Sequence, residues 1–266
     1  MALPSYTQLG PNAGARCLVI GGCGGIGLEY VQGLVAAQAD VVVIDLPASL
    51  EQVPLPAGVA SIPLDVTDHA ALDQCIRTLG ERWQGFDVLA YVTGINTAPT
   101  FLADVALDDF ETILNVNLTA AFVATRAALP FLKKGNDAAI VLVSSTLHAN
   151  AEAGFAAYCA SKGGLVSLSK VLAKEGAPEV RSNVVAPGLV DTAFLSGGTG
   201  HGGTPGGANA FLERQGVQGE RIRTSIPLGR LAVASEIALP MLFLSGPASL
   251  YMTGETLYVN GGRYTA

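Results

Sequence analysis

Short apolar runs, each too brief for a helix, recur along the chain at residues 16–20, 40–45, 59–63, 87–92, 138–143, 180–186 and 256–259. Most lack alternation with polar residues, which marks strands covered on both faces and therefore a parallel sheet. Parallel neighbours need a long return connection. Tracts with helical periodicity supply it at residues 26–37, 68–83, 107–132, 155–175 and 235–244. Thr67 or Asp68 is placed to cap the second of these. Strand and helix alternate with no low-complexity linker. The expected fold is therefore α/β: one doubly wound parallel β-sheet of about seven strands with helices on both faces. A composition that is 50% hydrophobic and only 14% charged suits strands so deeply covered. Residues 196–219 are the exception, a glycine-rich stretch around Pro205. So long an irregular segment in a compact domain reads as a mobile lid, at about 193–224.

Charge and cysteine usage narrow the function classes. A net charge of −7 and a pI near 4.9 argue against nucleic-acid binding, which needs a basic footprint. The uncharged window 237–254 is broken by Pro240, Gly246 and Pro247, so no membrane span is expected there. The first residues lack the basic start and apolar core of a signal peptide, and a cytoplasmic protein is expected. Cys17, Cys23, Cys75 and Cys159 show no CxxC or Cys/His ligand spacing. Neither a metal site nor a structural disulfide is expected, and a reducing setting fits.

The first strand runs into Gly21-Gly22-Cys23-Gly24-Gly25-Ile26-Gly27, with a helix beginning inside the loop. Glycines here let the backbone turn tightly and approach a pyrophosphate, whose charge a helix N-terminus favours. An acid, Asp45, ends the next strand, where it can accept hydrogen bonds from ribose hydroxyls. It would also repel a 2′-phosphate, and neither Leu46 nor Gly24 offers a cation to counter that. A Rossmann-type site for NAD(H), rather than NADP(H), is expected.

A second constellation lies in the later half. Tyr158 and Lys162 are four residues apart, and Ser145 precedes the tyrosine by thirteen. On a helix, residues i and i+4 share a face, so the ammonium would stand beside the phenol. A free phenol titrates near ~10, and a neighbouring cation lowers that value towards the working range of a proton shuttle. Ser145 would hold the oxygen whose proton moves. An amphipathic helix with no chemistry shows the same spacing by chance, so the motif counts only in company with the cofactor loop.

Taken in order, these motifs resemble the classical short-chain dehydrogenase/reductase family over roughly residues 16–262. The family's GxxxGxG is matched by Gly21, Gly25 and Gly27, with Ile26 between the last two. Its Asp-Val adenine contact is matched by Asp65-Val66, and its active-site asparagine by Asn117 in NVNL. Its Ser–Tyr–Lys set is matched by Ser145, Tyr158 and Lys162. Gly94 matches the glycine after the fourth strand, and Pro187, Gly188, Val190 and Thr192 match the nicotinamide end. Three departures stand out. Ile20 replaces a threonine before the first motif glycine, Tyr91-Val92-Thr93-Gly94 replaces Asn-Asn-Ala-Gly, and Asn260-Gly261-Gly262 replaces Asp-Gly-Gly. The second implies that the central strands are braced by different polar contacts.

The resemblance implies roles. Tyr158 is the general acid/base, Lys162 tunes it and holds the nicotinamide ribose, Ser145 orients the substrate oxygen, and Asn117 holds a water on the route from Lys162 to solvent. It implies one domain over residues 1–266, with 1–15 an N-terminal extension, 16–135 mainly binding dinucleotide and 136–266 carrying catalysis and the substrate. The implied activity is hydride transfer between NAD(H) and a secondary alcohol or ketone. A 3-oxoacyl thioester reductase is the alternative, and a non-catalytic dinucleotide sensor a remoter one. Phe194, Leu195, Phe211 and Leu212 in the lid suggest a partly apolar small-molecule substrate. His148, His69, His201, Asn96 and Glu152 have no role that spacing alone assigns. A homotetramer is expected. Its contacts would come from helical residues such as Ala120, Ala121, Phe122, Leu165 and Leu168, from small residues such as Ala156, Ala157, Ala160 and Gly164, and from residues 251–262.

Overall fold

A computed structural model describes residues 8–196, 198, 209, 212–213 and 216–265. Seven parallel strands form one sheet: β1 (Arg16–Ile20), β2 (Asp40–Asp45), β3 (Ala60–Pro63), β4 (Val88–Tyr91), β5 (Ala138–Val143), β6 (Val180–Pro187) and β7 (Thr256–Val259), in the order β3-β2-β1-β4-β5-β6-β7. The α-helices are α1 (Gly25–Ala36), α2 (Pro47–Gln52), α3 (His69–Trp83), α4 (Leu107–Leu114), α5 (Ala120–Leu132), α6 (Ala156–Gly176), α7 (Val217–Thr224) and α8 (Ala234–Ser245). The strand order reverses between β1 and β4, and the crevice at the carboxyl ends of a sheet at such a point is where ligands bind.

Strand residues alternate between two cores, as the two-residue period of a strand requires. Leu18, Ile20, Leu89, Tyr91, Ile140 and Leu142 face α3, α5 and α6. Cys17, Val19, Val88, Ala90, Val141 and Val143 face Tyr30 and Leu34 of α1 and Ile237, Met241 and Leu244 of α8. Each fully buried aliphatic side chain contributes roughly 1.5–3 kcal/mol, so a sheet sandwiched in this way is well supported. Cys17 and Cys23 are buried free thiols; Cys75 and Cys159 are half-buried and also free.

Most element ends fall within a residue or so of expectation, and the shifts have local causes. Asp87 lies outside β4 because its carboxylate accepts from Arg16 N at 2.8 Å, Arg16 Nε at 3.1 Å and Asn136 N at 2.7 Å, latching the base of three strands. Val59 precedes β3 because its amide closes a turn onto Pro56 O at 3.2 Å. Asp68, rather than Thr67, caps α3, accepting from Ala71 N at 2.9 Å. Pattern reasoning missed α2, too short to show a period, and α7, inside the stretch read as irregular.

The long tract 107–132 is not one α-helix. A π-helical turn, Asn115–Thr119, separates α4 from α5. Ala120 N donates to Asn115 O, five residues back, and the Val116 carbonyl accepts the Tyr91 hydroxyl at 2.5 Å. By length and composition Leu107–Leu132 is apolar enough to cross a bilayer. Here its residues Ala120, Ala124, Ala127 and Ala128 are packed into the core.

Candidate active site

The glycine loop sits at the sheet's reversal point, and its shape is dictated by close approaches. Gly21 has φ 91° and lies so near Thr93 that a Cβ would stand 2.6 Å from that residue's N and Oγ1. A Cβ on Gly27 would stand 2.0 Å from Gly21 O, so only glycine allows the loop to close onto α1. Gly25 packs against Thr192, which joins the loop to the segment after β6. No side chain caps α1, whose N-cap is Gly24, and its first-turn amides are free to meet an anion.

Asp45 does more than end β2. Its Oδ2 accepts from Cys23 N at 2.8 Å and its Oδ1 from Leu46 N at 2.8 Å, so the carboxylate holds the glycine loop in place. Two carboxylate oxygens offer about four acceptor positions, which leaves capacity for hydroxyl donors. Neither the loop 21–27 nor the segment 45–53 contains a lysine or arginine. Leu64 N donates to Asp45 O at 2.9 Å and carries the chain to Asp65, whose side chain accepts from Thr67 N at 2.9 Å and Thr67 Oγ1 at 2.8 Å. Val66 is buried beneath this turn.

Around the opposite half of the crevice, Tyr158, Lys162, Ser145 and Asn117 are all buried. Lys162 stands over the Tyr158 ring, 5.6 Å from Nζ to ring centroid, as the four-residue spacing on α6 requires. Its Nζ donates to Val143 O at 2.9 Å. The Ser144 hydroxyl donates to the Lys162 carbonyl at 2.8 Å, fastening α6 to the end of β5. Ser145 Oγ accepts from Leu147 N at 3.2 Å, which starts a short 3₁₀ turn, Thr146–His148. Gly94 lies beside these groups: a Cβ there would stand 3.1 Å from Lys162 Nζ and 3.5 Å from Asn117 Oδ1. The missing side chain leaves a cradle floored by lysine and asparagine.

Asn117 is fully occupied within the protein. Its Oδ1 accepts from Ile95 N at 2.8 Å, and its Nδ2 donates to Ile95 O at 3.0 Å and Ser161 Oγ at 3.0 Å. Ser161 in turn donates to Tyr158 O at 2.8 Å. The π turn places Asn117 at this junction, a common use of π turns at functional sites. Tyr91 and Thr93 supply the bracing that the departure from Asn-Asn-Ala-Gly called for, Tyr91 through Val116 and Thr93 by filling the space against Gly21.

The expected pKa control needs correction. Burial pushes the Tyr158 phenol up to about 12, a hydrogen bond with Ser145 pulls against it, and the Cys159 thiol adds to the rise. Burial also brings Lys162 down to about 8. Removal from water, rather than the lysine's charge, therefore dominates both groups, and at neutral pH the phenol is protonated.

Pro187 ends β6, and Gly188 N donates to Val259 O at 2.9 Å. Val190 pairs with Ala232 in an isolated bridge, and Thr192 is buried against Gly25. Phe194 reaches Tyr158, with ring centroids 6.1 Å apart. Leu195 and Leu212 instead pack with Leu189, Leu231 and Ile222, so they fasten the lid to the body rather than offering a face to substrate. Asn209 donates to the Asp191 carboxylate through both backbone and side chain. His201, Pro205 and Phe211 lie outside the described residues. A cleft lined by Asn96, Thr100, Val105, Phe110 and Phe155 leads to Tyr158. No cluster of metal-ligating side chains occurs among the described residues.

Spacing missed Ser144, Ser161 and Tyr91, whose partners lie far away in sequence. It also gave no role to His148 and Glu152, which contact Tyr258 and Arg263.

A parallel sheet with a glycine loop at its reversal point and a buried Tyr–Lys pair opposite defines a dinucleotide-binding oxidoreductase scaffold. The family described as enoyl-(acyl carrier protein) reductase matches residues 21–264. The 3-oxoacyl-[acyl-carrier-protein] reductase of Salmonella typhimurium is 31% identical over 255 residues, covering 94% of this chain and 98% of that one. An uncharacterised short-chain type dehydrogenase/reductase of Sinorhizobium fredii is 36% identical over 94% of this chain, which spans 43% of that longer protein. The crystal structure of a short-chain dehydrogenase/reductase of Brucella melitensis, titled glucose/ribitol dehydrogenase, superimposes with a TM-score of 0.82 at 30% identity, covering 97% of this chain and 99% of that one. The chain belongs to the short-chain dehydrogenase/reductase family, oxidoreductases that bind a nicotinamide cofactor.

Proposed function

We propose that this protein is an NAD(H)-dependent oxidoreductase acting on a secondary alcohol/ketone pair, with Tyr158 as the group that exchanges a proton with the substrate oxygen. The observation that carries the reading is the convergence of Tyr158, Lys162 and Asn117 around the Gly94 cradle, across the crevice from a glycine loop with uncapped amides. The residues fit a nicotinamide dinucleotide. The α1 amides and Gly21, Gly25, Ile26 and Gly27 would meet its pyrophosphate, Asp45 and Leu46 its adenosine ribose, and Asp65 and Val66 its adenine. Gly94, Lys162, Pro187, Gly188, Val190 and Thr192 would hold its nicotinamide half. When bound, that group supplies or takes the hydride.

The chain's own residues do the rest. The protonated Tyr158 hydroxyl donates to the carbonyl oxygen in reduction and takes the proton back in oxidation. Ser145 holds that oxygen, and Lys162 beneath the ring stabilises the phenolate left after donation. Phe194 covers the phenol and keeps water from it. Asn117 holds α6 and the segment after β4 at a fixed separation through Ser161 and Ile95. Preference for NAD(H) rests on Asp45 and the lack of nearby cations.

A 3-oxoacyl thioester reductase is the second reading, favoured by the names of relatives near 30% identity. Against a carrier-bound substrate stands charge. Asp104, Asp108, Asp109 and Glu111 are exposed beside the cleft, and they would repel an acidic carrier.

Initial rates with NADH and NADPH, measured on free ketones and on a 3-oxoacyl thioester, test the reading. NADH with a free ketone should be the preferred pair. Tyr158→Phe should lower turnover by about 10²–10⁴-fold, the span of general acid catalysis, and leave NADH binding intact. NADPH preference would overturn the cofactor assignment, and faster thioester reduction would favour the second reading. An unimpaired phenylalanine variant would remove Tyr158 from the chemistry.

A further inference from the structure

The residues following β7 touch every loop that borders Tyr158, yet none has a part in the proton or hydride transfer. The Tyr258 hydroxyl meets His148 Nε2 at 3.0 Å, and the two rings stack with centroids 5.5 Å apart and planes inclined by 17°. Tyr264 packs on Tyr258 from another side, 5.0 Å between centroids. Arg263 Nη2 meets Glu152 Oε1 at 2.7 Å. The loop carrying Ser145 is therefore gripped twice, at His148 and at Glu152.

The same segment holds two further loops. Gly261 O accepts from Leu228 N at 3.1 Å, and a Cβ on Gly261 would stand 2.7 Å from Ile226 Cγ2, so the segment lies hard against the exit from α7. Gly188, at the end of β6, approaches Asn260 so closely that a Cβ would stand 2.9 Å from Asn260 Cα. Asn260 also folds the segment on itself, accepting from Gly262 N at 2.8 Å and donating to Tyr264 O at 2.9 Å. Gly261 and Gly262 take φ 63° and 87°, backbone that side-chain-bearing residues rarely adopt. A segment so tightly turned and so evenly anchored is a strap.

We propose that residues 258–264 position the loop 145–155 and thereby set how bulky a substrate the site admits, with His148, Glu152 and Arg263 as the positioning residues. The assignment rests on reading Ser145 and Tyr158 as the reaction site. An exposed ion pair is weak alone, but here it pins a loop whose other end carries the serine that orients substrate. A displacement of an ångström at such a point is enough to change turnover by about 10²-fold.

The test compares the full chain with Arg263→Ala and with the charge-exchanged pair Glu152→Arg/Arg263→Glu, on a series of methyl ketones of rising bulk. In Arg263→Ala, kcat/KM for the bulkiest ketone should rise relative to the smallest by about tenfold, the scale of one methylene's discrimination. The change should fall in KM, with kcat for the smallest ketone and NADH affinity unchanged. The exchanged pair should restore the original ratio. Equal effects on all ketones, or no effect, overturn the proposal. If Arg263→Ala fails to fold by circular dichroism, Glu152→Gln is read in its place with the same expectations. Amide hydrogen exchange covers a wild-type protein that reduces no ketone, an outcome that refutes the reaction-site reading alone. Amides of residues 146–155 should then exchange about tenfold faster in the variant while those of β5 do not change, and unaltered exchange refutes the strap.

Discussion

Lys162 is a cation with 3% of its surface exposed and one carbonyl, that of Val143, as its hydrogen-bond partner. Burial without a carboxylate lowers its pKa from 10.5 to about 8. Between those values the unfolded chain keeps the proton and the folded chain does not, so stability rises with pH across that window and is penalised below it. Lys162→Met should therefore raise stability by about 1–3 kcal/mol at pH 7, from the lost desolvation cost less the lost hydrogen bond. It should cost both turnover and cofactor affinity. The stability gain should disappear by pH 10, as urea titrations at the two pH values would read; a variant less stable at pH 7 contradicts the account. Tyr158 shifts upward in both proteins and cancels in the difference. The Tyr–Lys pairing was legible because helical spacing fixes it. The burial that controls both pKa values was not, since it comes from Phe194, Val143 and Gly94, far apart in the chain.

At the scale of elements, the π turn has the largest consequence. A π turn adds one residue without disturbing the apolar pattern on either side, so periodicity read residues 107–132 as one helix. What betrays it in sequence is the unusual Tyr91, whose hydroxyl needs an acceptor in the core. Tyr91→Phe should destabilise the fold by about 1–3 kcal/mol, the cost of leaving the Val116 carbonyl unmet. It should lower kcat more than NADH affinity, because Asn117 rides on the same turn. Chemical denaturation and steady-state kinetics on one preparation check both statements; loss of stability alone would leave Asn117 independent of the turn. The sheet was far more legible, because strands buried on both faces leave uninterrupted apolar runs. The helices α2 and α7 were not, being short or embedded among glycines.

For the whole molecule, assembly is the open surface question. Among the residues expected at an interface, Ala120, Ala121 and Leu165 are buried in the chain's own core, and Gly164 is spent on Leu118, to which a Cβ would come within 2.5 Å. These corrections shrink the expected helical interface. They leave Phe122 and Val171 about half exposed on α5 and α6, and Leu239 and Tyr251 exposed towards the C-terminal part. Two such surfaces, each self-complementary about a two-fold axis, close into a tetramer. Light scattering should give a mass about four times the 27.2 kDa chain, and Phe122→Asp should reduce it. A concentration-independent monomer would refute the assembly.

The double duty of Asp45 constrains how this lineage could change its diet of coenzyme. The carboxylate that would turn away a phosphorylated ribose is also the acceptor for the Cys23 and Leu46 amides. A descendant drifting towards the phosphorylated form would have to find new acceptors for those amides before giving up the charge. A basic residue gained at position 46 alone would face a carboxylate the loop still needs.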